Sequence, residues 1–209
     1  SGKFRKSNSY DMWYTPYSER SEAMKIIFIR HGKTVGNLEK RYIGRTDESL
    51  SQIGINEISK HSFPDCDIVI SSFMKRCIET ATLIYPDKQV ITINGLEECD
   101  FGDFEGKNYN ELCNNPDYIS WLESGGLLPF PNGENTQDFK KRCVEAFENA
   151  VRSYSDYDSI CFVVHGGTIM SVMEKYAVPK GNYYDFQVKN GQGYITEFDG
   201  EKIKVLENI

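Results

Sequence analysis

Two of the three histidines in the chain occur in the same setting, directly after an apolar run and directly before a glycine. His31 follows the run at residues 25–30, and His165 follows the run at residues 159–164. Runs rich in β-branched and aromatic residues are typical of strands buried on both faces of a sheet. Because ligands bind at the carboxyl edge of parallel strands, we expect both imidazoles at one binding edge. The third histidine, His61, lies on a polar stretch and is expected at the surface.

Charged side chains follow two further predicted strands and should lie at the same edge of the sheet. Arg76 comes after a second apolar run, and the acidic pair Glu97 and Glu98 comes after a third. Together with Arg30, which ends the first run, Arg76 would offer two forked sets of N–H donors. Such forks match the non-bridging oxygens of a phosphoryl group, so this edge is predicted to bind phosphate.

The remaining side chains at this edge could carry out phosphoryl transfer. A neutral imidazole such as His31 can attack phosphorus and hold the phosphoryl group covalently. The second imidazole, His165, can donate a hydrogen bond to the charge on the equatorial oxygens. A carboxylic acid can protonate the leaving oxygen and later take a proton from water; Glu98 is favoured, with Glu97 and Asp100 as alternatives. This scheme needs no metal and no cofactor, and the chain has no Walker-type phosphate loop.

Strand and helix patterns alternate along the chain. The predicted strands cover residues 25–30, 67–70, 89–93 and 159–164, with a final hairpin around Asp199 and Gly200. One predicted helix covers residues 52–63 after Ser51 as its N-cap, and the others cover residues 74–85, 135–154 and 168–176. Residues 108–131 are predicted to form short helical pieces and loops. This alternation predicts an α/β three-layer sandwich, with a mostly parallel central sheet flanked by helices.

Length and composition limit the classes of function. The net charge of −7 and the pI near 5.1 argue against nucleic acid or an anionic membrane as the main partner. The six cysteines form no CxxC pair, which favours reduced thiols in a cytoplasmic protein. We predict one domain over residues 24–209, acting as a monomer or homodimer on a small-molecule phosphate ester. Residues 1–23 are interpreted as vector-derived sequence or as a native extension.

Five motifs resemble the signature of the histidine phosphatase superfamily, the phosphoglycerate-mutase-like group. They are RHGKT with Asn37 and the following YIGRTDESLSQIG, then SSFMKRCIETA, LEECDFGDFEG, PNGEN and VVHGGT. They occur in the family's order over nearly all of residues 24–209. The resemblance implies that His31 is the phosphorylated nucleophile and that Arg30, Arg76 and His165 form the phosphate pocket.

The same resemblance implies Glu98 as the proton donor and Asn37 as an additional phosphate contact. We expect further substrate contacts from the neighbouring loop residues Thr34, Arg41, Gly44 and Gly166, with no metal ligand among them. Arg45, Tyr109, Trp121 and Leu122 are left open between a solvent or core position and the substrate mouth.

The residues after Glu98 favour a phosphatase over a mutase. Cofactor-dependent phosphoglycerate mutases are longer and continue with a basic Arg-His-Tyr-Gly run, whereas this chain continues with CDFGDFEG. This pattern is similar to alpha-ribazole phosphatases and broad-specificity phosphatases. It implies a histidine acid-type phosphatase, a metal-independent phosphomonoester hydrolase that forms a phosphohistidine, with alpha-ribazole phosphate as one candidate substrate. The alternatives are a phosphoglycerate mutase and a non-catalytic module that binds phosphorylated ligands.

Overall fold

A computed structural model describes residues 23–209, so the interpretation of residues 1–23 falls almost entirely outside it. The strands are β1 (Met24–Arg30), β2 (Ile68–Ser71), β3 (Val90–Thr92), β4 (Ser159–Val164), β5 (Ala177–Val178), β6 (Gly193–Phe198) and β7 (Ile203–Asn208). The helices are α1 (Val35–Leu38), α2 (Gln52–Ile58), α3 (Lys75–Ile84), α4 (Tyr109–Leu112), α5 (Pro116–Glu123), α6 (Thr136–Ser153) and α7 (Gly166–Tyr176). None of these helices is both long and apolar enough to cross a membrane.

All seven strands join in one sheet with the order β3-β2-β4-β1-β6-β7-β5. The four strands from β3 to β1 are parallel to one another, and β6 is antiparallel to β1. β1 and β4 are neighbours in a register that pairs Arg30 with Val164. His31 and His165 therefore leave the sheet side by side at the same edge.

Alternate residues of β1 enter two cores on opposite faces of the sheet. Ile26 and Phe28 pack in a cluster with the apolar stripe of α6 and with α7. Ile27 and Ile29 pack on the other face in a cluster with α3. Burying each of these side chains contributes about 1.5–3 kcal/mol to stability, which is why the run of apolar residues forms a central strand. The predicted three-layer α/β sandwich is confirmed.

Several helix boundaries follow from caps that the sequence provides. The side chain of Ser51 accepts a hydrogen bond from the Gly54 N–H and begins α2 as predicted. The side chain of Asn135 accepts from the N–H groups of Gln137 and Asp138 and begins α6. α7 begins at Gly166, two residues earlier than predicted, with His165 as its N-cap.

The sheet is more mixed than the strand patterns alone indicated. The predicted hairpin is present as β6 and β7, but it joins the main sheet antiparallel to β1. β5 was not predicted, because two residues give no measurable alternation. Residues 102–131 form short helices over the sheet edge, around a third cluster that includes Phe104, Tyr118 and Trp121.

Candidate active site

His31 lies directly after β1 with its imidazole almost enclosed, since only 3% of the residue is exposed. Its Nδ1 is 2.7 Å from the carbonyl oxygen of Gly32. A carbonyl oxygen can only accept, so Nδ1 carries the proton and Nε2 keeps its lone pair. Burial lowers the pKa of His31 well below 6.5, and the nearby charges of Arg76 and Arg30 lower it further. The geometry therefore presents a neutral imidazole with a free Nε2.

The backbone around His31 is fixed from several directions. The His31 N–H donates to the carbonyl of Val164 at 2.9 Å, which ties the residue to β4. Its carbonyl accepts from Nδ2 of Asn190 at 3.1 Å and from the Gly191 N–H at 3.2 Å. The next N–H, of Gly32, donates to Oγ1 of Thr80 on α3 at 2.9 Å. These contacts hold the imidazole in one place relative to the sheet.

His165 stands beside His31 in a fully buried position. Its Nε2 lies 3.0 Å from Oγ of Ser72, the residue after β2, and 3.4 Å from Sγ of Cys77 on α3. Burial lowers the pKa of His165 well below 6.5, with further lowering by Arg76 and by His31. Both imidazoles are therefore neutral over the ordinary pH range.

Neither of the two predicted phosphate-binding arginines forms a salt bridge with a carboxylate among residues 23–209, and Arg30 is partly buried. Nη1 of Arg30 donates to the carbonyl of Val188 at 2.9 Å. Arg76 is fully buried, and its Nη1 and Nη2 donate to the carbonyls of Thr46 and Gly44, each at 2.8 Å. In both residues Nε is buried with no hydrogen-bond partner. Two guanidinium groups with enclosed, unused Nε donors form an arrangement that is suited to binding an anion.

Of the three carboxylates that were candidates for the acid, Glu98 is the one in the cavity wall. Its Oε1 accepts from the Cys99 N–H at 3.0 Å and its Oε2 accepts from the Gly167 N–H at 3.1 Å. The carboxylate of Glu97 turns away and accepts from Arg142 at 3.3 Å. Asp100 is partly exposed and accepts from the Gly102 N–H. The structure thus brings Glu98, rather than its neighbours, to the arginine and histidine cluster.

The remaining predicted contacts divide into two groups. Asn37, Arg41 and Gly166 line the cavity. Thr34 and Gly44 do not line it. The Thr34 hydroxyl accepts from the Asn37 N–H as the N-cap of α1, and Gly44 contributes the carbonyl that holds Arg76.

A cavity of about 230 Å³ lies beside this cluster, with Arg30 and Glu98 in its wall and seven aromatic residues among its nineteen lining residues. His31, Arg76 and His165 are not among the lining residues. The rings in its lining are Tyr42, Phe101, Trp121, Phe130, Phe139, Tyr183 and Tyr184. Trp121, left open by the sequence, is therefore a lining residue, whereas Tyr109, Leu122 and Arg45 lie outside the lining. His61 is exposed as predicted, beside a second cavity of about 640 Å³. Tyr183 and Tyr184 were not predicted, because they lie far along the chain from every motif.

Arg142 is a further residue that the sequence analysis missed. It lies on α6 and binds Glu134 through two contacts, Nε to Oε1 at 2.6 Å and Nη2 to Oε2 at 2.9 Å. Its guanidinium also donates to the carbonyls of Gly95, Glu97 and Glu98 at 3.1, 2.9 and 3.0 Å. Arg142 thus holds the loop that presents the Glu98 side chain. A charged residue on an amphipathic helix gives no sequence signal for such a role.

Comparison with known proteins agrees with this geometry. The family model described as "Histidine phosphatase superfamily (branch 1)" matches residues 26–208. The adenosylcobalamin/alpha-ribazole phosphatase of Escherichia coli strain K12 is 29% identical over 177 residues, covering 80% of this chain and 87% of that protein. The crystal structure of the alpha-ribazole phosphatase from Shigella flexneri superposes with a TM-score of 0.77 at 25% identity, covering 88% of this chain and 95% of the other.

A third relative has a different named substrate. A phosphoserine phosphatase from Entamoeba histolytica, solved in complex with 3-phosphoglyceric acid, superposes with a TM-score of 0.71 at 26% identity, covering 88% of this chain and 96% of the other. The family model covers far more than half of the chain, and the histidine and arginine cluster lies within it. The chain belongs to branch 1 of the histidine phosphatase superfamily.

Proposed function

We propose that the chain is a metal-independent phosphomonoesterase that transfers the phosphoryl group of a small phosphorylated metabolite first to His31 and then to water. The observation that carries this proposal is the neutral His31, with Nε2 free, beside two arginines whose buried Nε groups have no partner. Arg30 and Arg76 bind the non-bridging oxygens of the phosphoryl group, and His165 donates to the same oxygens.

In the first step Nε2 of His31 attacks phosphorus, and the bond from phosphorus to the ester oxygen breaks. Glu98 gives its proton to that oxygen, so the product leaves as a neutral alcohol. In the second step Glu98 takes a proton from water, and the resulting hydroxide attacks phosphorus and breaks the N–P bond. Inorganic phosphate leaves, and His31 returns to its starting tautomer.

Alpha-ribazole phosphate is our first candidate substrate. The E. coli and Shigella flexneri relatives are named for this ester. The aromatic lining of the cavity supports the same choice, because a flat ring in the alcohol part of a substrate can stack on it. We also place the enzyme in the cytoplasm, a proposal supported by the six free cysteines.

The test is hydrolysis of p-nitrophenyl phosphate by the wild type and by His31→Ala, with His61→Ala as the matched control. We expect His31→Ala to lose all measurable activity and His61→Ala to retain it. After reaction with a ³²P-labelled ester, the wild-type protein should carry radioactivity that is stable to base and lost in acid, as expected of phosphohistidine. His31→Ala should carry none. Full activity of His31→Ala would overturn the proposal.

The same panel decides between the alternatives. Conversion of 3-phosphoglycerate to 2-phosphoglycerate, stimulated by 2,3-bisphosphoglycerate, would identify a mutase. Tight binding of phosphate esters without hydrolysis of any of them would identify a non-catalytic module. A non-catalytic module is not expected, because a protein that only binds phosphate does not need the acid Glu98 in the cavity wall. A mutase is not expected, because Glu98 is followed by CDFGDFEG and not by a basic run.

A further inference from the structure

At the edge of the substrate cavity, Nε and Nη1 of Arg41 are hydrogen-bonded within the protein, whereas its Nη2 has no hydrogen-bond partner among the described residues. Its Nε donates to Oε2 of Glu39 at 2.6 Å, and its Nη1 donates to Oε2 of Glu111 at 2.6 Å. The same Nη1 also donates to the carbonyl of Gly106 at 2.6 Å. One positive charge is therefore matched by two negative charges at the place where the alcohol part of a substrate must lie.

Glu111 is held in place by more than its ion pair. Its Oε2 also accepts from the Asn108 N–H at 2.9 Å, as part of the capping box that begins α4. The backbones of Arg41 and Asn108 form an isolated β-bridge, which keeps the two ends of this contact at a fixed separation. A single exposed ion pair contributes little to stability, but a cluster anchored to two backbone segments stays formed.

No other cation of the cavity wall can replace Arg41. The basic side chains that line the described cavity are Arg30 and Arg41. Arg30 lies at the phosphate end, close to His31. Glu98 is the only carboxylate among the other lining residues of the described cavity, and seven of those residues are aromatic. A substrate with a carboxylate in its alcohol part would lose hydration of that group without gaining a cationic partner.

We propose that Glu39 and Glu111 determine specificity by neutralising Arg41, so that the enzyme favours phosphate esters whose alcohol part has no carboxylate. This inference rests on the proposed phosphatase function. The carboxylates that act here are outside the phosphate pocket, so they act on substrate choice and not on the chemical step.

The test compares 3-phosphoglycerate with glycerol 3-phosphate, two esters that differ by a carboxylate in place of a hydroxymethyl group. The variant is Glu39→Gln with Glu111→Gln, in which glutamine keeps a side-chain oxygen for the Asn108 N–H. We expect the ratio of kcat/KM for 3-phosphoglycerate to that for glycerol 3-phosphate to rise about tenfold, the effect of one charged hydrogen bond. Hydrolysis of p-nitrophenyl phosphate should stay at the wild-type rate.

Adding Arg41→Ala to the double variant provides the decisive control, because the gain should then disappear. An unchanged substrate ratio in the double variant, or a gain that persists without Arg41, would overturn the inference. A failure of the proposed function would give a different result, because the wild-type protein would then hydrolyse none of the three esters.

Discussion

The imidazole rings of His31 and His165 lie 5.2 Å apart and are tilted by 65° to each other. Adjacent parallel strands hold the two rings in this edge-to-face arrangement, and each ring has a hydrogen-bond partner on a different residue. Two imidazolium ions at this distance would repel each other and both arginines. Both histidines must therefore stay neutral for the pocket to form.

We expect this requirement to make the free energy of unfolding fall as the pH drops below about 6.5. Burial lowers the pKa of both histidines in the folded state, so the unfolded chain takes up protons that the folded chain does not. Stability is thus fully present above the unfolded-state pKa and is lost toward acid. The maximum slope for two such groups is about 2.7 kcal/mol per pH unit.

Urea unfolding between pH 7 and pH 5 measures this slope. His165→Gln removes one of the two groups and should reduce the slope by about half, with His61→Gln as the exposed control. An undiminished slope in His165→Gln would contradict the assignment.

Ser72 is expected to act as a positioning residue for His165. The Met74 N–H donates to Ser72 Oγ at 3.4 Å, and the hydroxyl proton of Ser72 is then available to Nε2 of His165, 3.0 Å away. His165 would then keep its proton on Nδ1. We expect Ser72→Ala to lower kcat about tenfold, the effect of one hydrogen bond, and Ser72→Thr to restore most of it.

The decisive measurement for Ser72 is the nitrogen-15 NMR spectrum of His165. The wild type should show the Nδ1–H tautomer, and Ser72→Ala should show a shift toward Nε2–H. A spectrum that is the same in both proteins would leave Ser72 with a packing role alone.

Gly167 is expected to tolerate no side chain, because a Cβ there would lie 2.2 Å from Oε1 of Glu98 and 2.7 Å from the ring of Phe139. Gly167→Ala should displace the acid and lower kcat by about 10²-fold for alkyl phosphates, which need a protonated leaving group. p-Nitrophenyl phosphate has a good leaving group and should lose less. In a Glu98→Gln background the same substitution should add little, and an equal further loss there would show that Gly167 acts elsewhere.

Arg142→Ala is expected to destabilise the fold by about 2 kcal/mol or more, because it leaves Glu134 and three carbonyls without their charged donor. Urea unfolding at pH 7 measures the loss. Arg152 provides the control, since it lies on the same helix but is exposed, donates a hydrogen bond to Oδ1 of Asn149 and acts on Glu148 through its charge. Its alanine variant should stay within about 0.5 kcal/mol of the wild type. Equal effects of the two variants would contradict the role given to Arg142.

The features that could be predicted from the sequence are those set by short-range patterns. The β1 run predicted a central strand, because a strand that is apolar on both faces must be covered on both sides. The equivalent settings of His31 and His165 predicted a shared edge for the same reason. The N-cap at Ser51 followed from local hydrogen bonding.

The remaining features depend on contacts between distant segments. Which of Glu97, Glu98 and Asp100 faces the cavity depends on the direction in which each side chain leaves the loop. For Glu97 that direction is set by its hydrogen bond with Arg142 on α6. Likewise, the sequence predicted Arg41 as a substrate contact but gave no sign that Glu39 and Glu111 bind the same guanidinium. Sequence spacing contains no information about pairs of this kind.

The unused Nε donors of Arg30 and Arg76 also bear on how the enzyme responds to its surroundings. In the proposed reaction inorganic phosphate is a product, and it would accept hydrogen bonds from the same guanidinium groups as the substrate, so it would compete for the site. Turnover would then slow as phosphate accumulates and recover when phosphate is scarce. Through this arginine pair, the rate of the proposed hydrolysis would respond to the concentration of its own product.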